Sequence, residues 1–341
     1  MGRSAADKLR RFYKNFSGED RVLVVINADP DAIASAMAVK RLLWRKVASV
    51  TISNVNVISR PDNAAMVRLL GISITHVENI EISRFSKFVI VDSQPNHHDL
   101  FSDFSFHVVI DHHPDTGIKS DFRDIRPDYG ATASILTEYL RSARIKPSVK
   151  LATGLLYAIK TDTNSFARQT IMEDLRAFQF LFKHSNTHLA RKIEYADLRF
   201  DYLKYFRNAI SNLQLRRGRI FVHLEQVVNP DVCVILADFF MRVNPVKWSI
   251  VSGIHDNKLI IILRNDGVRK NAGRVAKTAF SALGSAGGHR SMARAELPLE
   301  MLGGFLDTDD TKIVRKWIIK QIEHGPKKKT RKPSDKKNGK S

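Results

Sequence analysis

Three short apolar runs in the first half of this chain each end in aspartate, and that repeat restricts the fold more than any other feature. Residues 21–27 read RVLVVIN and stop at Asp29-Pro30-Asp31; residues 88–91 stop at Asp92, and residues 107–110 at Asp111. Runs this short, rich in Val and Ile and bounded by polar turns, are strands, whereas residues 32–44 have helical spacing with small residues on one face. The alternation continues through strand-like residues 55–58 and helix-like residues 63–70. Strands alternating with helices imply an α/β fold, here a doubly wound, mostly parallel sheet covered on both faces. Such sheets bind ligands outside the carboxyl ends of their strands. All three sets of acids belong at that edge.

Residues 131–140 and 149–160 are also helical in spacing, and Asp162-Thr163-Asn164 follows the second. Residues 173–213 are helical, aromatic-rich and charged, without a strand signal. A second, smaller α/β pattern begins at Gly218: strand 219–224, helix 232–241, then strands 248–254 and 259–264 joined as a hairpin by His255-Asp256-Asn257-Lys258. Helices at 271–283 and 310–322 complete it. A chain of 341 residues is long enough for two domains. The expected division is an N-terminal extension (1–17), a metal-binding domain (18–185), a helical connector (186–216), a substrate-binding domain (217–325) and a basic tail (326–341).

The hydrophobic content of 43% is that of a globular protein, and no stretch has the roughly 18 uncharged apolar residues a membrane span needs. Residues 1–15 mix charges and aromatics without an apolar signal core, so a cytoplasmic location is expected. Cys233 is the single cysteine and lies in an apolar run, which marks a buried thiol rather than a nucleophile. The net charge of +20 calls for an anionic partner such as nucleic acid, nucleotide or polyphosphate. Part of it sits in the tail, where eight cations between Lys327 and Lys340 face one acid, Asp335. That composition suits an RNA- or DNA-attracting arm or a solubilising terminus.

Hydrolysing a phosphate ester requires a nucleophilic water at neutral pH and a means of spreading charge over the phosphoryl oxygens, and two divalent ions supply both. Hard ions favour carboxylates, and an imidazole in the donor set tilts the choice from Mg²⁺ towards Mn²⁺. The candidates are Asp29, Asp31, Asp92, Asp111, His112, His113 and Asp162. Taken singly, each has a plain structural explanation, since an aspartate after a strand often caps a helix. Their shared sheet edge makes them a set. In the second domain the run Gly284-Ser285-Ala286-Gly287-Gly288-His289 lets backbone amides approach a phosphate. With Arg264 at a strand end, and His289, Arg290 and Arg294 alongside, it reads as an anion clamp.

In order, Asn27-Ala28-Asp29-Pro30-Asp31, Val89-Ile90-Val91-Asp92, Ile110-Asp111-His112-His113-Pro114, Gly130-Ala131-Thr132-Ala133-Ser134 and Thr161-Asp162-Thr163 resemble the motifs of the DHH phosphoesterase superfamily. Leu263-Arg264-Asn265 and Gly287-Gly288-His289-Arg290-Ser291-Met292-Ala293 resemble the DHHA1 domain that accompanies it, as in RecJ-like and oligoribonuclease-like members. The resemblance implies a two-metal site in an interdomain cleft, with Asp29, Asp31, Asp92, His112 and Asp162 as ligands and Asp92 bridging the ions. It further implies that Asp111 holds the His112 ring, that His113 meets the substrate phosphate, and that Arg264, Gly287, Gly288 and His289 grip the substrate. The nucleophile would be a metal-activated water, without a covalent intermediate.

One position departs from the pattern. Related enzymes begin the first motif with a histidine where this chain has Val25, so the first metal loses a donor unless Asn27, a water or a distant residue replaces it. The segment after His289 is also bulkier and more charged than the family's. The expected activity is hydrolysis of short oligonucleotides, dinucleotides or related nucleotides, by a monomer or a homodimer. The alternatives are a polyphosphate or pyrophosphate hydrolase, or a nucleic-acid-binding protein without catalysis.

Overall fold

A continuous run of β-branched and apolar residues fixes the first sheet, because in β1 everything after its first residue is buried on one face or the other. The computed structural model describes residues 4–196 and 198–324; the basic tail expected at 326–341 lies outside them. The first unit, Met1–Leu198, runs through α1 (Ala5–Tyr13), β1 (Arg21–Ile26), α2 (Pro30–Leu42), β2 (Ser49–Asn54), α3 (Pro61–Leu70), β3 (Thr75–His76) and β4 (Lys87–Val91). It continues through β5 (Val108–Asp111), β6 (Phe122–Ile125), α4 (Thr132–Ser142), α5 (Val149–Asp162), α6 (Met172–Phe182) and α7 (Thr187–Glu194). The six strands pair in the order β3-β2-β1-β4-β5-β6, all parallel.

Val22, Val24 and Ile26 face a core shared with α2, α4 and α5, while Leu23 and Val25 face a second one with Ile90, Val109, Phe101 and Phe104. Burial on both faces is what a central strand of a parallel sheet requires. Strand order reverses between β1 and β4, and a crevice opens outside the carboxyl ends at such a switch point. Asp29 and Asp31 follow β1, Asp92 follows β4, and Asp111 ends β5. The sheet therefore delivers its acids to one edge.

Several boundaries differ from the sequence reading for physical reasons. The strand expected at 55–58 is β2, six residues earlier; Val55 contributes to the second core only after the strand has ended. Residues 5–13, read as an extension, are a helix that buries Leu9 and Phe12, the latter edge-on to Phe122 and Tyr139. Asp162 is the last residue of α5, not the start of a loop. The stretch 173–213, read as helical throughout, breaks into three α-helices, and the division between units falls at Leu198 and Arg199, within the connector expected at 186–216.

The second unit, Arg199–Ser341, contains α8 (Leu203–Asn212), β7 (Gln214–Arg216), β8 (Arg219–Gln226), α9 (Asp231–Phe240), β9 (Trp248–His255), β10 (Lys258–Asn265), α10 (Ala272–Phe280), β11 (Ser285–Gly288), β12 (Met292–Pro298) and α11 (Thr311–His324). Its mixed sheet has the order β11-β12-β10-β9-β8-β7. Asp256 and Asn257, at φ +46° and +57°, close the β9–β10 hairpin, as a two-residue turn with both centres left-handed should. Helices α8 and α9 pack on one face, α10 and α11 on the other. Cys233 is buried in the α8–α9 core, where desolvation pushes its thiol up to about 12. No helix among the described residues is long and apolar enough to cross a membrane.

Candidate metal centre

The N-terminus of α4 organises the site. Ala131 at its cap offers no side-chain acceptor, so Asp31 supplies one from the first turn of α2. The Asp31 oxygens accept the backbone N–H groups of Thr132 at 2.6 Å and Ala133 at 2.8 Å. That pole of a helix favours negative charge. The Thr132 hydroxyl donates to Asp92 Oδ1 at 2.9 Å. Asp92 itself has φ +58°, a left-handed conformation that costs a non-glycine residue roughly 1–2 kcal/mol and is found where function over-determines the backbone.

His112 adds the decisive geometry. Its Nδ1 stands 3.1 Å from the Tyr129 carbonyl oxygen, which can only accept, so Nδ1 carries a proton and Nε2 is the ring atom turned towards the acids. Nε2 lies 3.1 Å from Asp162 Oδ2 and 3.4 Å from Asp92 Oδ1. It is buried, and among the described residues no partner meets it in hydrogen-bond geometry. Three lone-pair-bearing atoms converge there, and only a proton or a cation between them relieves the repulsion. Asp31, Asp92, His112 and Asp162 each offer one ligand atom within 4.8 Å of the others. Three carboxylates and one imidazole are a donor set for a hard divalent ion, with the nitrogen favouring Mn²⁺.

The electrostatics agree. Burial first, then the charge of Asp162, pushes Asp31 up to about 8. Burial and the charges of Asp31, Asp29 and Asp162 hold Asp92 well above the ordinary carboxylate range. Burial works against a charged His112, but the adjacent Asp162 and then Asp31 more than offset it and push the ring up to about 10. By itself the cluster retains protons at neutral pH that a bound cation would displace.

Residues 21–159 match the model of the DHH family, N-terminal domain. The first unit carries a DHH-family N-terminal domain. The uncharacterised protein MJ1633 of Methanocaldococcus jannaschii is 31% identical over 322 residues, which cover 94% of this chain and 66% of that protein. The solved structure of an exopolyphosphatase-related protein from Bacteroides fragilis superposes with a TM-score of 0.71 at 16% identity, over 93% of this chain and 96% of that one. That likeness is one of fold. Exonuclease RecJ bound to manganese matches with a TM-score of 0.48 at 11% identity, over 93% of this chain and 94% of that one.

Within the DHH-family unit the second histidine of the Asp111-His112-His113 run has a different holder from the first. Asp111 Oδ1 accepts from His113 Nδ1 at 2.8 Å, and from His112 it accepts the backbone N–H alone. The expected Asp111–His112 ring contact is thus corrected: Tyr129 orients His112, and Asp111 orients His113. Burial opposes the Asp111 charge, but hydrogen bonds from His113 and from Gln94 Nε2, the latter at 2.7 Å, hold it down at about 2. His97, Asp111 and His113 form a further group of close ligand atoms at the rim. Gln94, His97, Tyr129 and Thr132 were not assigned roles from sequence. Tyr129 acts through its backbone, which no side-chain pattern reveals, whereas the polar run after Asp92 was a visible signal.

Asp29 stands apart from the tight cluster. Its carboxylate caps α2 by accepting the Ala32 N–H at 2.9 Å, and it joins none of the close ligand groups among the described residues. Burial, followed by the charge of Asp162, pushes it up to about 6. Val25 is wholly buried among apolar residues, and Asn27 is exposed. The residues present fit one ion well, and Val25 offers nothing to a second.

In the second unit the glycine run forms an edge strand, β11, paired with β12. Its glycines serve backbone packing: a Cβ on Gly288 would lie 2.4 Å from the Met292 carbonyl oxygen, and one on Gly273 would lie 2.0 Å from that of Gly288. Gly287 has open space. Arg264 pairs with Asp238 at 2.6 Å, Arg290 donates to the Gly267 and Val268 carbonyls, and Arg294 pairs with Glu296. His289 is exposed at the end of β11. The three arginines of the expected clamp are engaged within their own unit.

Proposed function

We propose that this chain, through its DHH-family domain, hydrolyses phosphoester bonds in short oligonucleotides, dinucleotides or related nucleotides, with two divalent ions as cofactors, Mn²⁺ preferred and Mg²⁺ accepted. The observation that carries the reading is the convergence of Asp31, Asp92, Asp162 and His112 Nε2, whose ligand atoms lie within 4.8 Å of one another, Asp162 half-buried and the other three buried. Bound ions would supply an activated water and neutralise charge on the phosphoryl oxygens.

The chain's own residues set the geometry for that chemistry. Tyr129 fixes the His112 tautomer, a form of outer support that metal-binding imidazoles commonly have. The α4 N-terminus aligns Asp31, and Thr132 aligns Asp92. Asp31, Asp92, His112 and Asp162 would hold one ion, and Asp29 with Asp92 would be left to hold the other, to which Val25 would offer nothing. His113, held by Asp111, would present its other nitrogen to the substrate phosphate. Gly287, Gly288, His289 and Arg264 would meet the remainder of the substrate, Arg264 by exchanging Asp238 for a phosphate.

Because Arg264, Arg290 and Arg294 already have partners, inorganic polyphosphate is the second reading. Purified protein with Mn²⁺ is offered a labelled dinucleotide, a cyclic dinucleotide, 3′-phosphoadenosine 5′-phosphate and polyphosphate. Mononucleotide release that Asp92→Ala abolishes supports the first reading. Preferred cleavage of polyphosphate favours the second. Failure to turn over any of them with Mn²⁺ or Mg²⁺ rejects both.

A further inference from the structure

We infer that the second unit carries an anion site for the phosphates of a nucleic-acid strand, built by Arg269, Lys270 and Arg274 between the start of α10 and the end of α11. A cavity of about 400 Å³ opens there, walled by Val275 and Ile322 and edged by Gln321. That is within the size range of ligand sites, and an apolar wall with a few convergent polar groups is their usual make-up. The three cations are exposed, and among the described residues none is in an ion pair. No acid lines the cavity. Arg264 and Arg294 of the same unit are neutralised by carboxylates, and the trio is not.

The attraction is a side-chain one. At the start of α10 the N–H groups of Ala272, Gly273 and Arg274 are already taken by the Arg290 and His289 carbonyls and the Asn271 side chain. Two guanidinium forks and an ammonium remain, and guanidinium binds phosphate oxygens in pairs. The position of the cavity in the chain favours a polymer over a single nucleotide. Gln321 and Ile322 belong to the last described turn of α11, and the sequence then runs directly into the segment with eight cations between Lys327 and Lys340. A strand with successive phosphates can use both, whereas one small anion would use only the cavity.

The inference goes beyond the hydrolase reading and does not depend on it, since binding is measured with the metal chelated. Full-length protein in EDTA is titrated with a fluorescently labelled single-stranded RNA 20-mer at several salt concentrations. The variant Arg269→Gln/Lys270→Gln/Arg274→Gln is compared with Lys40→Gln/Lys146→Gln/Lys183→Gln, which removes three exposed cations from the first unit. Three lost phosphate contacts should make the slope of log K against log salt shallower by about 2, with a fall in affinity of roughly tenfold or more at low salt. The control should leave the slope near wild type. Should the cavity variant melt early, Lys270→Gln alone should reduce the slope by about 0.7. Unchanged slopes, or equal losses in variant and control, would overturn the site. Polyphosphate of matched charge binding more tightly than RNA, with the same loss in the variant, would overturn the assignment to nucleic acid.

Discussion

In a chelating buffer the first unit should lose stability as pH rises from 6 to 8, and Asp31 should account for much of the slope. Its folded pKa of about 8, against 3.8 for an ordinary aspartate, means that the native state holds a proton the unfolded chain has released. A raised folded pKa contributes stability that is complete below the unfolded value and is lost as pH climbs through the folded one. At ~1.4 kcal/mol per pH unit per proton, with Asp31 half titrated at pH 8, the interval removes ~2 kcal/mol. For a unit of this size that is ~4–8 °C in melting temperature. His112, raised from 6.5 to about 10, holds an extra proton over the upper part of the same window and acts in the same direction. Melts followed by circular dichroism in EDTA at pH 6, 7 and 8 should show this decline in wild type. Asp31→Asn should melt lower at pH 6, because its amide cannot accept both α4 N–H groups, and should show a shallower pH dependence. Excess Mn²⁺ should stabilise wild type more at pH 8 than at pH 6, since the ion displaces protons. Parallel pH profiles for wild type and Asp31→Asn, or a wild-type profile that rises relative to the variant, would refute the reasoning.

Gly130→Ala should cost ~1–3 kcal/mol by chemical denaturation and weaken Mn²⁺ binding, because the new methyl would lie 2.6 Å from Thr163 Cγ2 and 2.9 Å from the Gln169 carbonyl oxygen, next to Asp162. Equal stability and equal metal affinity would show that this approach is not tight. Val25→His, which supplies the side chain the family pattern expects, should destabilise the metal-free protein by ~2 kcal/mol or more, since it places an imidazole among Leu23, Ile90 and Phe101. A neutral effect in a urea melt would contradict that burial. Cys233 should resist a thiol-specific reagent at pH 8 until the protein is unfolded, given its burial and a pKa pushed up to about 12; rapid labelling of the native protein would refute this.

The parts of the fold legible in sequence were those with strong periodicity. The buried run of β1, the helix after it and the acid that follows β4 appear where pattern and turn chemistry agree, and the doubly wound parallel sheet follows from them. Short edge strands such as β3 and β7 have too few residues to show a period. The Asp and His cluster was legible because its members are chemically distinctive side chains. Its supports were less so: Tyr129 contributes a carbonyl and Thr132 and Ala133 contribute N–H groups, and every residue type has these. The strand formed by the glycine run was not legible, because glycine permits close backbone packing as readily as phosphate approach, and only the neighbours of Gly273 and Gly288 show the packing. Likewise nothing near Arg264 in sequence announces Asp238, which α9 brings to it across β10.

The central claim is that Asp31, Asp92, His112 and Asp162 share a divalent cation, and Mn²⁺ binding followed by electron paramagnetic resonance tests it without reference to substrate. Wild type should remove free Mn²⁺ signal with saturable affinity that strengthens as pH rises. Asp92→Asn and His112→Gln, shown by circular dichroism to be folded, should each bind far more weakly. Wild type that leaves the free-ion signal untouched, or variants that bind Mn²⁺ as wild type does, would contradict the account.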